Sequence, residues 1–281
     1  MSYPSAVKYR ALVLDLDGTL VDDEGQVRPR TQEALTWARE RGVVPMVATG
    51  RSELGALPVL RELDFETPAI VFNGAGLYCP RDERLLRHSL LTSPAIEHAF
   101  GYAEREDVML MVAGVGHKYV SPPRDEQETR AVEMLEALDF RERDRLPREN
   151  LMRVSVFSAR HGSSDAFARH FCKGLGGDVY LTWFPLNVLA DQRGSALQVV
   201  DVQPRCRGKV EALDYLEQHH GIAADEVVCV GDGSNDVEML TAAGLGVAMQ
   251  NAMDCALDAA DRVIGDNNSD ALAELIEELF V

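Results

Sequence analysis

The sequence predicts an α/β protein, a doubly wound (Rossmann-like) parallel-sheet core interrupted by an inserted α+β unit. Three observations predict it. Four short runs rich in Val, Ile and Leu, residues 10–16 (RALVLDL), 43–48 (VVPMVA), 69–72 (AIVF) and 226–230 (EVVCV), are too short for helices and lack strict alternation. Such runs read as strands covered on both faces, as in a buried parallel sheet. Helix-like segments alternate with these strands near both ends of the chain, the rhythm of a sheet wound on both sides. The middle of the chain breaks that rhythm with signals of a different kind.

Taken in order, the first strand is followed by "RPRTQEALTWARERG" (28–42), whose Ala34, Leu35 and Ala38 form an apolar stripe before Gly42. That is an amphipathic helix stopped by glycine. After the third strand, "AGLYCPRDERLLRHSL" (75–90) reads as a hairpin around the polar turn Pro80-Arg81-Asp82-Glu83. A helix is expected from about Pro94 to Arg105, a strand over "VMLMVAG" (108–114) and a second helix near Arg130–Leu138. A strand "RVSVFSA" (153–159), a helix near Asp165–Leu175 and a strand "DVYLTW" (178–183) follow. "SPPRDEQE" (121–128) reads as a solvated loop. After the fourth core strand, "NDVEMLTAAG" (235–244) is a short helix ended by Gly244. The expected domains are a discontinuous core of residues 1–80 and 188–281 and an insertion of residues 81–187.

Composition narrows the function. A 281-residue chain that is 46% hydrophobic and 26% charged can form one large or two ordinary soluble domains. No apolar run approaches the roughly 18–20 residues of a membrane span, and "MSYPSAVKYR" lacks the pattern of a signal peptide, so a cytoplasmic protein is expected. The net charge of −18 argues against nucleic acid, whose phosphates are met by surplus Lys and Arg. It also means that a site for phosphate needs local positive charge or a metal. The five cysteines, at 79, 172, 206, 229 and 255, show no C-x-x-C spacing, which favours neither a zinc ribbon nor a disulfide framework.

Ligands of open parallel sheets bind beyond the carboxyl ends of the strands, and polar clusters fall there. Asp15-Leu16-Asp17-Gly18-Thr19 follows the first strand, Thr49-Gly50-Arg51 the second, and Gly231-Asp232-Gly233-Ser234-Asn235-Asp236 the late strand, with Lys209 just before that strand. Crowded carboxylates repel, so such a crevice calls for a divalent cation. An all-oxygen donor set suits Mg²⁺. A carboxylate in that setting can attack phosphorus, a lysine and a hydroxyl can neutralise the phosphoryl oxygens, and a second acid can move the proton.

"DLDGTL", "TGR", an isolated lysine and "GDGSNDVEML" occur in the order of the four motifs of the haloacid dehalogenase superfamily of phosphatases, which this sequence resembles. Asn73-Gly74-Ala75 and Ala248-Met249-Gln250-Asn251-Ala252 are similar to further signatures of its Cof-type branch, whose cap domain is inserted where the α+β unit lies here. The resemblance covers about residues 1–80 and 195–270. It implies Asp15 as nucleophile and Mg²⁺ ligand, and Asp17 as general acid/base lending its backbone carbonyl to the metal. It also implies Thr49, Gly50, Lys209 and Asn235 around the phosphoryl group, Asp232 as the second carboxylate on the metal, and Asp236 in support. The partner implied is a small phosphorylated metabolite, such as a sugar phosphate, with neither nucleic acid nor membrane involved. Two departures are Cys206-Arg207-Gly208-Lys209, where "G-V-S-K" is usual, and Asp270-Ala271-Leu272, where "D-G-V" is usual.

Plainer readings stand beside these. Asp-Gly is a common turn, Asp232 and Asp236 suit a helix N-terminus, and Lys209 alone would be a surface lysine. Arg51 is a substrate contact or a solvated arginine, and Asn73 a functional or a turn residue. His219 and His220 fit a helix end, "GVG" (114–116) fits a cap loop facing the crevice, and Asp22 and Asp23 are expected to face water. The same crevice would serve a sugar phosphomutase; only 34 positions separate Asp15 from Thr49, so no cap fits there as in the β-phosphoglucomutase arrangement, which leaves the phosphomannomutase kind with its cap in the later position. A phospho-accepting signalling module also clusters acids, Thr and Lys, but needs no cap.

Overall fold

The computed structural model describes residues 8–133, 135, 137–189 and 192–280. The core sheet contains β1 (Ala11–Leu14), β2 (Val44–Val47), β12 (Val227–Gly231), β13 (Leu245–Ala248) and β14 (Arg262–Val263) in the order β14-β13-β12-β1-β2. Every pairing in it is parallel. Beside β2 runs β3 (Ala69–Val71), joined by a parallel bridge from Ala48 to Ile70. β1 is buried along its whole length, as its unbroken apolar run requires. Leu12 and Leu14 face a cluster formed with α1 (Pro29–Glu40), α2 (Glu53–Leu63) and the C-terminal Ala271–Phe280 helix. Ala11 and Val13 face the opposite cluster. Helices on both faces make the sheet doubly wound, as expected.

From β3 the chain enters the hairpin β4 (Gly76–Cys79) and β5 (Arg84–His88), turning at the four residues expected. Then come α3 (Ser93–Arg105), β6 (Met109–Gly114), β7 (His117–Val120), α4 (Glu126–Glu133), β8 (Leu138–Phe140), β9 (Leu151–Ser158), α5 (Ser164–Phe171), β10 (Val179–Pro185) and β11 (Gln198–Pro204). These strands form a largely antiparallel six-stranded sheet, β10-β11-β9-β6-β7-β8. One face packs Val154, Val156, Val200 and Val202 on Phe100, Phe167 and Phe171 of α3 and α5. The chain then returns to the core through α6 (Glu211–His220), α7 (Val237–Ala242) and α8 (Asp254–Ala259), and α9 (Ala271–Phe280) closes it.

Three expectations shift. β5 pairs with β4, which pairs with β3, so the hairpin continues the core's own strand system, and the second sheet begins only at β6. At its other end that sheet runs to Pro204, not to 187, because Gln198–Pro204 pairs with both β9 and β10. The helix expected near 130–138 starts at Glu126 instead, inside the expected loop. The Asp125 carboxylate there accepts from the Glu128 N–H, 2.9 Å away, and caps the first turn, while Leu138–Phe140 pairs as a strand beside β7.

Candidate active site

The site is built where three strands of the core sheet end. Asp15 directly follows β1 and continues its ladder, donating its backbone N–H to the Val230 carbonyl at 3.0 Å. The chain then turns through Gly18, whose φ of +73° suits glycine. A Cβ on Gly18 would lie 2.3 Å from a carboxylate oxygen of Asp232, so only glycine lets the two loops approach this closely. Thr19 donates its hydroxyl to the other Asp232 oxygen at 3.1 Å and orients that carboxylate. The Asn251 side-chain amide donates to the Gly18 carbonyl at 2.8 Å, which gives the downstream Asn251-Ala252 pair a bracing task on the same turn.

After β12, Gly231 passes close under Asp236. A Cβ there would meet the Asp236 carboxyl carbon at 2.5 Å. One Asp236 oxygen accepts from the backbone N–H groups of Asp232 (3.0 Å) and Gly233 (2.8 Å), and the other accepts from Lys209 Nζ at 2.7 Å. Both oxygens of this fully buried group are therefore occupied. Lys209, 1% exposed, reaches in from the turn before α6 and also donates to Asp15 Oδ1 at 2.6 Å.

Carboxylate atoms of Asp15, Asp232 and Asp236 lie within 4.8 Å of one another. Two of these acids, Asp15 and Asp236, thus share one ammonium, with the Asp232 carboxylate beside them. Burial, then the charge of Asp236, push the Asp15 carboxyl up to about 7 although Lys209 pulls the other way. Burial, then Asp15 and Asp236, likewise raise Asp232. Burial alone would lower the Lys209 ammonium, but the two carboxylates outweigh it and hold it above its ordinary value. The donor set is all oxygen and short of positive charge, which fits a hard divalent cation between Asp15 and Asp232. Asp236, with both oxygens committed, serves as the cradle beneath.

Asp17 lies apart, on the rim, with 45% of its side chain exposed. Arg51 holds it by Nη2 to Oδ1 at 2.6 Å and Nε to Oδ2 at 3.0 Å, while Nη1 donates to the Gly55 carbonyl at 3.1 Å. Arg51 is thus committed to this pair. Thr49 is fully buried two residues past β2, and its hydroxyl accepts from the Arg51 N–H at 3.0 Å. Asn73 adopts the left-handed conformation (φ 50°) and accepts from the Asn235 side chain at 2.9 Å, so it is both the turn residue and the link between two loops. Its own carbonyl accepts from the Cys206 thiol at 3.2 Å, and burial pushes that thiol up to about 11, which keeps its proton in place for the bond.

The sequence did not reveal the residues through which the second sheet touches the core. Arg153 of β9 donates to the Gly50 carbonyl at 2.8 Å. The Gly116 N–H, at the tip of the "GVG" turn, donates to Glu53 at the start of α2 at 2.7 Å, which puts that loop against α2 of the core. Arg193 pairs with Asp23, so Asp23 does not simply face water, while Asp22 accepts from the N–H groups of Glu24 and Gln26 within its own turn. A charge inside the apolar strand "LMRVSVFS" was the one signal for Arg153. His220 does end a helix.

A model of the haloacid dehalogenase-like hydrolases matches residues 12–276. The chain is 29% identical over 289 aligned residues to the pyridoxal phosphate phosphatase YbhA of Escherichia coli K12, covering 95% of this chain and 97% of that one. It is 25% identical to the 5-amino-6-(5-phospho-D-ribitylamino)uracil phosphatase YitU of Bacillus subtilis, covering 96% and 97%. The solved structure of the HAD subclass IIB sugar phosphatase BT4131 superposes with a TM-score of 0.79 at 22% identity, over 96% of this chain and 98% of that one, and so shares the fold. With a family match across nearly its whole length and a neighbour of subclass IIB fold, the chain belongs to the haloacid dehalogenase-like hydrolases.

Proposed function

We propose that the protein is a Mg²⁺-dependent phosphatase that hydrolyses a small phosphorylated metabolite, with sugar phosphates the expected class, through a phosphorylated Asp15. The observation that carries this reading is the buried Asp15 carboxylate, held at 2.6 Å by Lys209 beside Asp232. The relatives act, by name, on pyridoxal phosphate, on a ribitylaminouracil phosphate and on HMP-PP, all small phosphorylated compounds.

Asp15 attacks phosphorus and the bond from phosphorus to the leaving oxygen breaks. Asp17 gives that oxygen a proton. Asp17 then takes a proton from water, whose oxygen attacks the phosphorus of the acyl phosphate as the bond from phosphorus to the Asp15 oxygen breaks, which releases inorganic phosphate and restores the Asp15 carboxylate. Lys209, Thr49, the Gly50 backbone and Asn235 hold the phosphoryl oxygens. Mg²⁺, when bound by Asp15, Asp232 and the Asp17 backbone carbonyl, supplies the positive charge that lets the acids stay ionised and neutralises the phosphoryl group. Asp236 fixes Lys209 and the Asp232 loop. The second sheet acts as a cap, closing over the crevice and excluding bulk water while the phosphoryl group passes to Asp15.

A screen of sugar phosphates, nucleotides, pyridoxal phosphate and flavin mononucleotide with Mg²⁺ tests the reading. Release of inorganic phosphate is expected. Isomerised sugar phosphate without phosphate release would indicate the phosphomutase instead, and an Asp15 phosphate stable for hours would indicate the signalling module.

A further inference from the structure

The turn that leads from β2 into α2 holds Asp17 from one side and carries the second sheet on the other. Its Arg51 forks onto the Asp17 carboxylate and reaches back over its own turn, where Nη1 donates to the Gly55 carbonyl at 3.1 Å. Ser52 Oγ accepts from the Gly55 N–H at 3.3 Å and closes the same turn. The second sheet meets this turn at three points. Arg153 of β9 donates to the Gly50 carbonyl at 2.8 Å. The Gly116 N–H, between β6 and β7, donates to Glu53 Oε1 at 2.7 Å. Lys118 of β7 is buried, and its Nζ lies 3.7 Å from where a Cβ on Gly55 would stand, a point also 3.6 Å from Arg51 Cβ. The contacts fall on Gly50, Glu53 and Gly55, on either side of Arg51.

Glu53 is the one acid among them. It is the first residue of α2, where the helix dipole favours a negative charge. That role alone needs no burial, because a carboxylate in water serves it as well. Glu53 is 5% exposed, and its Oε2 is buried with no hydrogen-bond partner among the described residues. A carboxylate withdrawn from water onto a single backbone N–H is destabilising by itself. What the arrangement provides is a fixed acceptor for the turn between β6 and β7, set in the middle of the arc that Arg51 spans. A shift of Glu53 moves the Gly55 carbonyl, and with it the third point on which the Arg51 guanidinium rests.

Resting on the phosphatase reading, we propose that Glu53 is a positioning residue for the acid: it seats the turn between β6 and β7 on the Arg51 turn and so holds Arg51 on Asp17. The effect has a chemical signature. When the bond from phosphorus to the leaving oxygen breaks, an alcohol leaving group takes the Asp17 proton, whereas acetate departs from acetyl phosphate as a carboxylate that needs none. A misaligned Asp17 therefore slows an alcohol ester more than acetyl phosphate. Loss of the phosphate site or of the fold slows both alike.

The test measures kcat/KM, which covers the steps through departure of the leaving group, for acetyl phosphate and for the best alcohol-derived phosphate of the panel above. Glu53→Asp keeps the charge at the start of α2 but is one methylene short of the Gly116 N–H. Glu53→Gln gives up the charge and keeps an acceptor at the right reach. The ratio of kcat/KM for the alcohol ester to that for acetyl phosphate should fall by about 10–100-fold in Glu53→Asp. Glu53→Ser, also too short, should show the same fall, and Glu53→Gln should keep most of the wild-type ratio. Adding Glu53→Asp to Arg51→Ala should lower the ratio no further, because the two act through one contact. An unchanged ratio in both short variants would overturn the proposal, as would equal losses on the two substrates or independent losses in the double variant. A larger fall in Glu53→Gln than in Glu53→Asp would also overturn it and make Glu53 an acid for the helix dipole alone. All of these leave the phosphatase reading intact. Failure of the wild-type enzyme to hydrolyse any of these phosphates would remove that reading and the proposal with it.

Discussion

Arg51 grips Asp17 with two nitrogens, Nη2 at 2.6 Å and Nε at 3.0 Å, and anchors its third nitrogen on the Gly55 carbonyl. This fork fixes a half-exposed carboxylate in one orientation at the mouth of the site, a task for which a planar guanidinium is better suited than an ammonium. Arg51→Ala should lower kcat by about 10–100-fold, the range for a misoriented acid/base, with a smaller effect on KM. Arg51→Lys should recover only part of the loss. Steady-state kinetics on the best substrate decide it, and unchanged kcat in Arg51→Ala would show that Asp17 needs no such support.

Gly18 is the tightest steric point of the site. Its φ of +73° is strained for any side chain, and the clash falls on the Asp232 carboxylate. Gly18→Ala should cost about 1–3 kcal/mol of stability and displace Asp232 from Thr19. Weaker Mg²⁺ binding by titration calorimetry is expected together with a lower Tm. Normal Mg²⁺ affinity in this variant would place the cation elsewhere.

The raised Asp15 carboxyl gives a pH dependence with a definite sign. Burial, then Asp236, lift it from 3.8 to about 7, so the folded chain holds that proton more tightly than the unfolded chain does. Its contribution to stability is present below about pH 4 and lost as pH rises toward about 7, by up to about 4 kcal/mol. In chelator, Tm should therefore fall between about pH 5 and about pH 7.5, and fall less steeply in Asp15→Asn. Added Mg²⁺ should raise Tm more at the higher pH. Identical pH slopes for the two proteins would contradict the account.

Much of this was legible in the sequence, for identifiable reasons. β1 and β12 are buried on both faces, so their uninterrupted Val and Leu runs announce them, and the acids that follow stand out because nothing apolar explains them. Lys209 was found only through its place in an ordered set of motifs, since a single lysine carries no local pattern. β11 was missed because one of its faces is polar. Its Asp201 and Gln203 interrupt the valines and make the segment resemble a connection, yet those two residues lie on the face opposite the apolar cluster of Val200 and Val202. α4 was displaced because its start is set by the Asp125 cap and not by its sparse apolar residues. The contacts from Arg153 to Gly50 and from Gly116 to Glu53 join residues more than 60 positions apart, and no local spacing encodes such a meeting.

The central claim is that Asp15 is the nucleophile, and its most direct measurement is phosphate release by Asp15→Asn. Asparagine keeps the shape of the side chain and can still accept from Lys209 Nζ through its amide oxygen, so the fold and Tm should be maintained. Turnover should fall by a factor on the order of 10⁴ or more, because a neutral amide cannot attack phosphorus. A folded Asp15→Asn protein that hydrolyses the best substrate at the wild-type rate would contradict the account.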